Sequence, residues 1–209
     1  MNKITDLEIQ NAIAPYGITS SPELCDQIRT YVSLLLKWNQ KISLSTVTSP
    51  TEILRFHFGE SFFAASKVPI EKGRLADVGS GAGFPGLPIR MLSAPIGVTL
   101  IESHSKKSAF LYEIVRSLKL DHVSVFNGRM DALPSESLRF DFVVARALGQ
   151  HDEFLSWSSS RLNSGGKVIL WLGEKDASVI SGNPAWNWQE PLKIPLSERR
   201  FLLIGTLPT

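Results

Sequence analysis

The stretch that most constrains the fold is Asp77-Val78-Gly79-Ser80-Gly81-Ala82-Gly83-Phe84-Pro85-Gly86, directly after the short apolar run Leu75–Val78. Its four glycines (Gly79, Gly81, Gly83 and Gly86) fall within eight residues, and each loses more conformational freedom on folding than any other residue would. Such a concentration makes sense where the backbone turns sharply out of a buried strand and where a ligand approaches the main chain closely. In open α/β sheets that place is the crevice outside the carboxyl ends of the strands.

The surrounding sequence supplies the rest of such a sheet. Short apolar runs at Val98–Ile101, Val123–Phe126, Phe140–Val144 and Lys167–Leu172 read as further strands, separated by helical patterns at Ser105–Leu118 and 151–162. Strands alternating with helices imply a parallel sheet covered on both faces. The tail departs from this rhythm, because Trp186–Pro195 and Phe201–Thr206 read as two strands with no helix between them, an antiparallel ending. Upstream, Leu24, Ile28, Tyr31, Leu35 and Trp38 recur at three- and four-residue steps behind the Ser21-Pro22 start signal. A second helix is predicted from Thr48-Ser49-Pro50, with Ile53, Phe56, Phe63 and Ala64 on one face. Trp38 reads as core. The expected organisation is a helical extension over residues 1–70, packed on an α/β domain over residues 71–209.

Composition excludes several alternatives. No apolar run approaches the ~18 residues of a membrane span, and the first ten residues lack an apolar signal-peptide core, so a cytoplasmic protein is expected. The single cysteine, Cys25, forms neither an internal disulfide nor a zinc site, and no metal is expected. The formal charge of +2 says little about nucleic acid, but residues 72–129 hold eight basic and four acidic side chains, a bias compatible with phosphate contacts.

Two ligands fit the glycine turn. Gly81-x-Gly83-x-x-Gly86 formally matches a dinucleotide fingerprint, which keeps a nicotinamide-dependent oxidoreductase open. Asp77-x-Gly79-x-Gly81-x-Gly83 resembles motif I of class I S-adenosylmethionine-dependent methyltransferases. Glu102, at the end of the second strand, suits an acceptor for ribose hydroxyls in either case. Met130 and Asp131, after the third strand, suit an adenine ring and its amino group. Arg146, after the fourth strand, offers a five-donor cation for a carboxylate or phosphate, the bland alternative being a surface pair with Asp141 or Asp152. That strand lacks the Asp/Asn-Pro-Pro-aromatic motif of exocyclic-amine methyltransferases, and Cys25 lies outside the expected crevice, which argues against a covalent cysteine mechanism.

Together these residues resemble the bacterial 16S ribosomal RNA guanine-N7 methyltransferase family, also called the glucose-inhibited division protein B family. The resemblance runs from about Ile28 to Arg146. It is carried by Lys37-Trp38-Asn39-x-x-Ile42-x-Leu44-Ser45, Arg55-x-His57-x-x-Glu60-Ser61, the glycine turn continued through Leu87-Pro88, Leu100-Ile101-Glu102-Ser103, Arg129–Asp131 and Ala145-Arg146-Ala147. It implies a Rossmann-like class I fold, S-adenosylmethionine as cofactor, and ribosomal RNA or a small-subunit assembly intermediate as substrate. It also implies that Gly79, Phe84, Met130, Asp131 and Arg146 bind the cofactor, with Gly81 and Glu102 beside them. Candidate RNA contacts are Arg55, His57, Lys106, Lys107, Arg199 and Arg200. A non-catalytic ribosome-assembly factor remains the alternative outside enzymology, and a monomer is expected. Guanine N7 carries a lone pair and no proton, so no general base is expected. The chain departs from the family pattern at Ser43 (Asn there), at Glu60 and Glu102 (Asp there), and at Leu172, which stands in a lysine's place with Lys175 nearby.

Overall fold

The computed structural model of the protein describes residues 4–134 and 138–208. Helix α1 (Asp6–Ile13) starts at a reciprocal cap: Thr5 Oγ1 accepts from the Glu8 amide and Glu8 accepts from the Thr5 amide. Helix α2 (Pro22–Asn39) starts where Ser21 Oγ accepts from the Leu24 amide at 3.1 Å, with Pro22 in the first turn. The third helical run is composite. A short α turn, α3 (Pro50–Glu52), leads into a π-helical stretch Ile53–Gly59 and then into α4 (Glu60–Lys67). The widened turn breaks the regular spacing expected there, so Phe56 leaves the face shared by Ile53, Phe63 and Ala64 and meets Arg200 instead.

The sheet contains β1 (Gly73–Val78), β2 (Ile96–Glu102), β3 (Val123–Asn127), β4 (Phe140–Arg146), β5 (Leu162–Gly173), β6 (Asn187–Trp188), β7 (Leu192–Lys193) and β8 (Arg200–Thr206). Its spatial order is β3-β2-β1-β4-β5-β8-β6, with β7 also on β8. The first five strands are parallel, and β8 runs antiparallel to β5, β6 and β7. The expected Trp186–Pro195 strand is in fact two short pieces broken around Gln189–Pro191, where Pro191 has no amide to donate. Helices α5 (Gly86–Leu92), α6 (Ser105–Ser117), α7 (His151–Arg161) and α8 (Glu174–Ser181) complete the chain; α8 follows β5 directly, where the sequence pattern gave no helix.

Alternation along the strands sorts side chains into two cores. Leu75, Phe142, Val144, Ile169 and Trp171 face the N-terminal helices, α5 and α6, whereas Ala76, Val78, Val143, Ala145, Leu170 and Leu172 face α7 and α8. The first core is continuous from Ile9 through Tyr31 and Phe58 to Leu202, so the N-terminal helices cover one sheet face. Trp38 is partly buried there, edge-on to Phe110, its indole N–H donating to Glu113 at 2.8 Å. By the same parity Arg146, the last residue of β4, belongs to the side of the N-terminal helices.

Candidate active site

The glycine turn leaves β1 at Val78 and is fastened to β2, the Gly79 and Ser80 amides both donating to the Ile101 carbonyl at 2.9 and 3.1 Å. Gly79 and Gly81 hold φ of +71° and +56°, a region open to glycine with little strain. A Cβ added at Gly81 would meet only a backbone oxygen 3.8 Å away, so that side of the turn is free for a ligand. At Gly83 the requirement is internal, because a Cβ would run into the Tyr31 hydroxyl, which donates to the Ala82 carbonyl at 2.6 Å.

Asp77 anchors the turn from below. It is fully buried, and one carboxylate oxygen accepts from the Gly86 amide at 3.0 Å while the other has no hydrogen-bond partner. Burial pushes its pKa up to about 7, opposed by the Gly86 hydrogen bond and by the nearby Ser80 hydroxyl, which donates to the Asp77 main-chain carbonyl, and assisted by the Glu102 charge. Glu102 has one oxygen on the Gly81 amide and the other on the His104 amide, both at 2.8 Å. It therefore shapes the turn directly, and each oxygen keeps a second lone-pair direction for a hydroxyl.

Beside the turn lies a cleft of about 130 Å³ lined by Val78, Gly79, Ile101, Ser103, Gly128, Arg129, Met130, Leu148 and Gln150. Met130, expected beside an adenine ring, packs in the second core and lines this cleft. Asp131 does not line it. Its exposed carboxylate turns to Arg129 at 3.5 Å, and Arg129 is also held by Glu153 at 2.6 Å. Ser103, Gly128, Leu148 and Gln150 escaped the sequence reading; their signal is position, each following the end of β2, β3 or β4. A larger hollow of about 500 Å³ near Glu174, Trp188 and Glu190 lies at the antiparallel edge, away from the turn.

Phe84 differs from its expected role in one respect. Its ring is buried between His57 (4.7 Å) and Tyr31 (5.1 Å), both nearly parallel to it, and it is not among the residues lining the cleft. His57 receives or donates one hydrogen bond, Nε2 to Ser45 Oγ at 2.7 Å, and its Nδ1 is buried without a partner. Burial, reinforced by Arg146 and Arg200, lowers its pKa to about 3. His57 is a neutral, packed imidazole.

Arg146 is no surface pair with Asp141 or Asp152. Asp141 accepts from the Arg74 amide and from Asn163, and Asp152 belongs to α7 on the opposite face. One Nη of Arg146 faces Glu60 Oε2 at 3.3 Å, and Arg200 reaches Glu60 Oε1 at 2.9 Å. Glu60 is 1% exposed, and burial raises its pKa against the opposing pull of both guanidiniums. Arg200 enters from β8 opposite Gly173, its guanidinium 4.8 Å above the Phe56 ring. A cation thus stands at the end of β5 although Leu172 is buried in the second core and Lys175 is exposed on α8. Arg55 is half-buried on the π turn, Arg199 and Lys106 are exposed, and Lys107 is half-exposed. Lys106 and Lys107 open α6 after β2, whereas Arg199 and Arg200 stand beside β5. Four strand spacings separate the two groups, roughly 19 Å along one edge of the sheet.

Comparison with known proteins agrees with this geometry. The family model described as rRNA small subunit methyltransferase G matches residues 24–190. Proteins named ribosomal RNA small subunit methyltransferase G are similar to this chain: that of Xylella fastidiosa is 35% identical over 179 residues (83% of this chain, 82% of that one). That of Myxococcus xanthus is 34% identical over 160 residues (76% and 73%), and that of Roseiflexus castenholzii 31% over 208 residues (94% and 89%). Solved structures share the fold: a SAM-dependent methyltransferase from Aquifex aeolicus superposes with a TM-score of 0.63 at 15% identity, over 75% of this chain and 93% of that one. A ribosomal protein L11 methylase from Lactobacillus delbrueckii gives 0.63 at 16% identity, over 74% and 80%. None of these likenesses supports the nicotinamide or the non-catalytic alternative. With a class I methyltransferase sheet, a glycine turn open to a ligand and a match over most of its length, the chain belongs to the rRNA small subunit methyltransferase G family of S-adenosylmethionine-dependent enzymes.

Proposed function

We propose that this protein methylates N7 of a guanine in 16S ribosomal RNA, with S-adenosylmethionine as donor. The observation that carries the reading is the open face of the turn at Gly81, beside the cleft lined by Gly79 and Met130. These residues suit the three parts of the cofactor. The apolar walls Val78, Ile101, Met130 and Leu148 would hold the adenine, Glu102 the ribose, and Arg146 the carboxylate of the amino-acid end. When bound, the cofactor supplies a methyl group made electrophilic by its sulfonium.

The residues present match a nucleophile that needs no deprotonation. Guanine N7 would attack that methyl carbon with its own lone pair, the carbon–sulfur bond pair leaving with sulfur, so no residue of the chain would have to remove a proton first. The protein's part is alignment of nucleophile, methyl and sulfur, an effect able to supply about 7–11 kcal/mol. His57, with a pKa near 3, is unsuited to accept a proton at neutral pH. Because N7 faces the deep, narrow groove of A-form RNA, the target guanine is unpaired or swung out of its stack. Lys106, Lys107 and Arg199 would meet phosphates along the rim. No helix among the described residues is long and apolar enough to cross a membrane, and we place the enzyme in the cytoplasm, acting as a monomer on the subunit or its assembly intermediate.

The test is to incubate small subunits from a strain lacking the gene with purified protein and S-adenosylmethionine, then map methylated nucleotides by mass spectrometry. One new 7-methylguanine in 16S RNA is expected. Methylation confined to another atom, or none, would overturn the proposal.

A further inference from the structure

Among the described residues seven buried side-chain atoms have no hydrogen-bond partner, and five belong to one place: Tyr16 Oη, His57 Nδ1, both Glu60 oxygens and one Nη of Arg146. The backbone around Glu60 is fixed on several sides. The Trp171 indole donates to the Glu60 carbonyl at 2.8 Å, the Glu60 amide reaches back to the Arg55 carbonyl across the π turn, and the Tyr16 ring lies against Gly59. The carboxylate so placed is divided between two guanidiniums, at 3.3 Å from Arg146 and 2.9 Å from Arg200.

That division is poor design for stability alone. Burying a carboxylate costs several kcal/mol, recovered only with good geometry and full hydrogen bonding, which Glu60 lacks. It is a good design for holding a cation half-satisfied. Arg146 follows Ala145, which pairs with Val78, so its main chain lies alongside the start of the glycine turn, and its side chain has one Nη on Glu60 and the other buried without a hydrogen-bond partner. We infer that Glu60 is a positioning residue, holding Arg146 by one nitrogen so that the other meets the cofactor's carboxylate, while Arg200 keeps Glu60 from closing on Arg146 in a two-bond pair. This rests on the cofactor reading above. It gives Arg200, 38% exposed and able to meet RNA, a second task in cofactor binding.

Two nucleosides separate these roles. S-adenosylhomocysteine carries the amino-acid end, and 5′-methylthioadenosine lacks it. Calorimetry with wild-type protein should show the former binding more tightly. Glu60→Gln should lower that preference by about tenfold, the scale of one charge-assisted hydrogen bond, while 5′-methylthioadenosine affinity stays within about twofold. Glu60→Asp keeps the charge and should retain most of the preference. Arg200→Gln, at a more exposed site, should also lower the preference, by about threefold to tenfold, because the freed carboxylate then competes for both nitrogens of Arg146. An unchanged preference in Glu60→Gln or in Arg200→Gln overturns the inference, as does equal weakening of both nucleosides. If Glu60→Gln does not fold, the Arg200→Gln arm decides. If neither nucleoside binds the wild-type protein, the cofactor reading fails first and the inference falls with it.

Discussion

Two of the buried carboxylates among the described residues, Asp77 under the glycine turn and Glu60 at the end of the π turn, sit in regions that solve opposite problems. Asp77 accepts from the Gly86 amide rather than from a cation and leaves its second oxygen unpartnered, so burial raises its pKa to about 7. Glu60 faces two guanidiniums and is the negative partner in a cluster that also holds a neutral His57. Burial pushes the first toward a proton, while the second is compensated by ion pairing. A carboxylate that can take up a proton tolerates loss of its charge; one that compensates two cations, one of them deeply buried, does not.

The largest expected effect comes from removing each charge. Glu60→Gln should destabilise the fold by about 3–5 kcal/mol, because it leaves Arg146 buried without a counter-charge. For a chain of this size that is a fall of roughly 6–20 °C in Tm. Asp77→Asn, which keeps an oxygen for the Gly86 amide, should change Tm little at low pH. Equal large losses in both variants would erase the contrast.

The pH dependence sharpens it. The folded pKa of Asp77 is raised from 3.8 to about 7, so across that interval the native state holds a proton that the unfolded chain has released. Stability contributed by the protonated form is complete below pH 4, declines as pH rises, and is lost above pH 7, by roughly 4 kcal/mol at most. Chemical denaturation of wild type and Asp77→Asn between pH 4 and 8 should therefore converge at the acid end, with the variant more stable at the alkaline end. Parallel curves would contradict the proton on Asp77.

Binding gives the next effect. Gly81→Val places a side chain on the open face of the turn at φ +56°, costing about 1–3 kcal/mol in strain. It should lower S-adenosylmethionine affinity by about a hundredfold or more while the protein still folds at low temperature. Tight binding by the variant would remove the turn from the cofactor site. Smaller again, replacing Lys106, Lys107 or Arg199 by Gln should each reduce the logarithmic salt slope of RNA binding by about one. Salt-independent binding would exclude phosphate contacts there. The smallest effect is a near absence: single-turnover methylation at saturating substrates should be almost flat from about pH 6 to pH 9. A tenfold rise per pH unit that disappears in His57→Ala would make His57 a base after all.

The sequence by itself determined the half of the site that is written in contiguous backbone. Four glycines after an apolar strand require a turn whose geometry depends on φ angles and close approach, both local properties, and Glu102 and Met130 come at strand ends fixed by the same alternation. Strand parity even places Arg146 on the side of the N-terminal helices, away from Asp152. What only the tertiary structure decided is which charges meet. A side chain's partner depends on which surfaces pack together, so Asp131 turns to Arg129, Glu102 caps Gly81, and Glu60 joins Arg146 to Arg200 across three separate elements. The π turn hides that junction from pattern reading. Its extra residue rotates the downstream helix by about 100° relative to a regular one, so spacing alone puts Phe56 on the face of Ile53, Phe63 and Ala64, which it leaves.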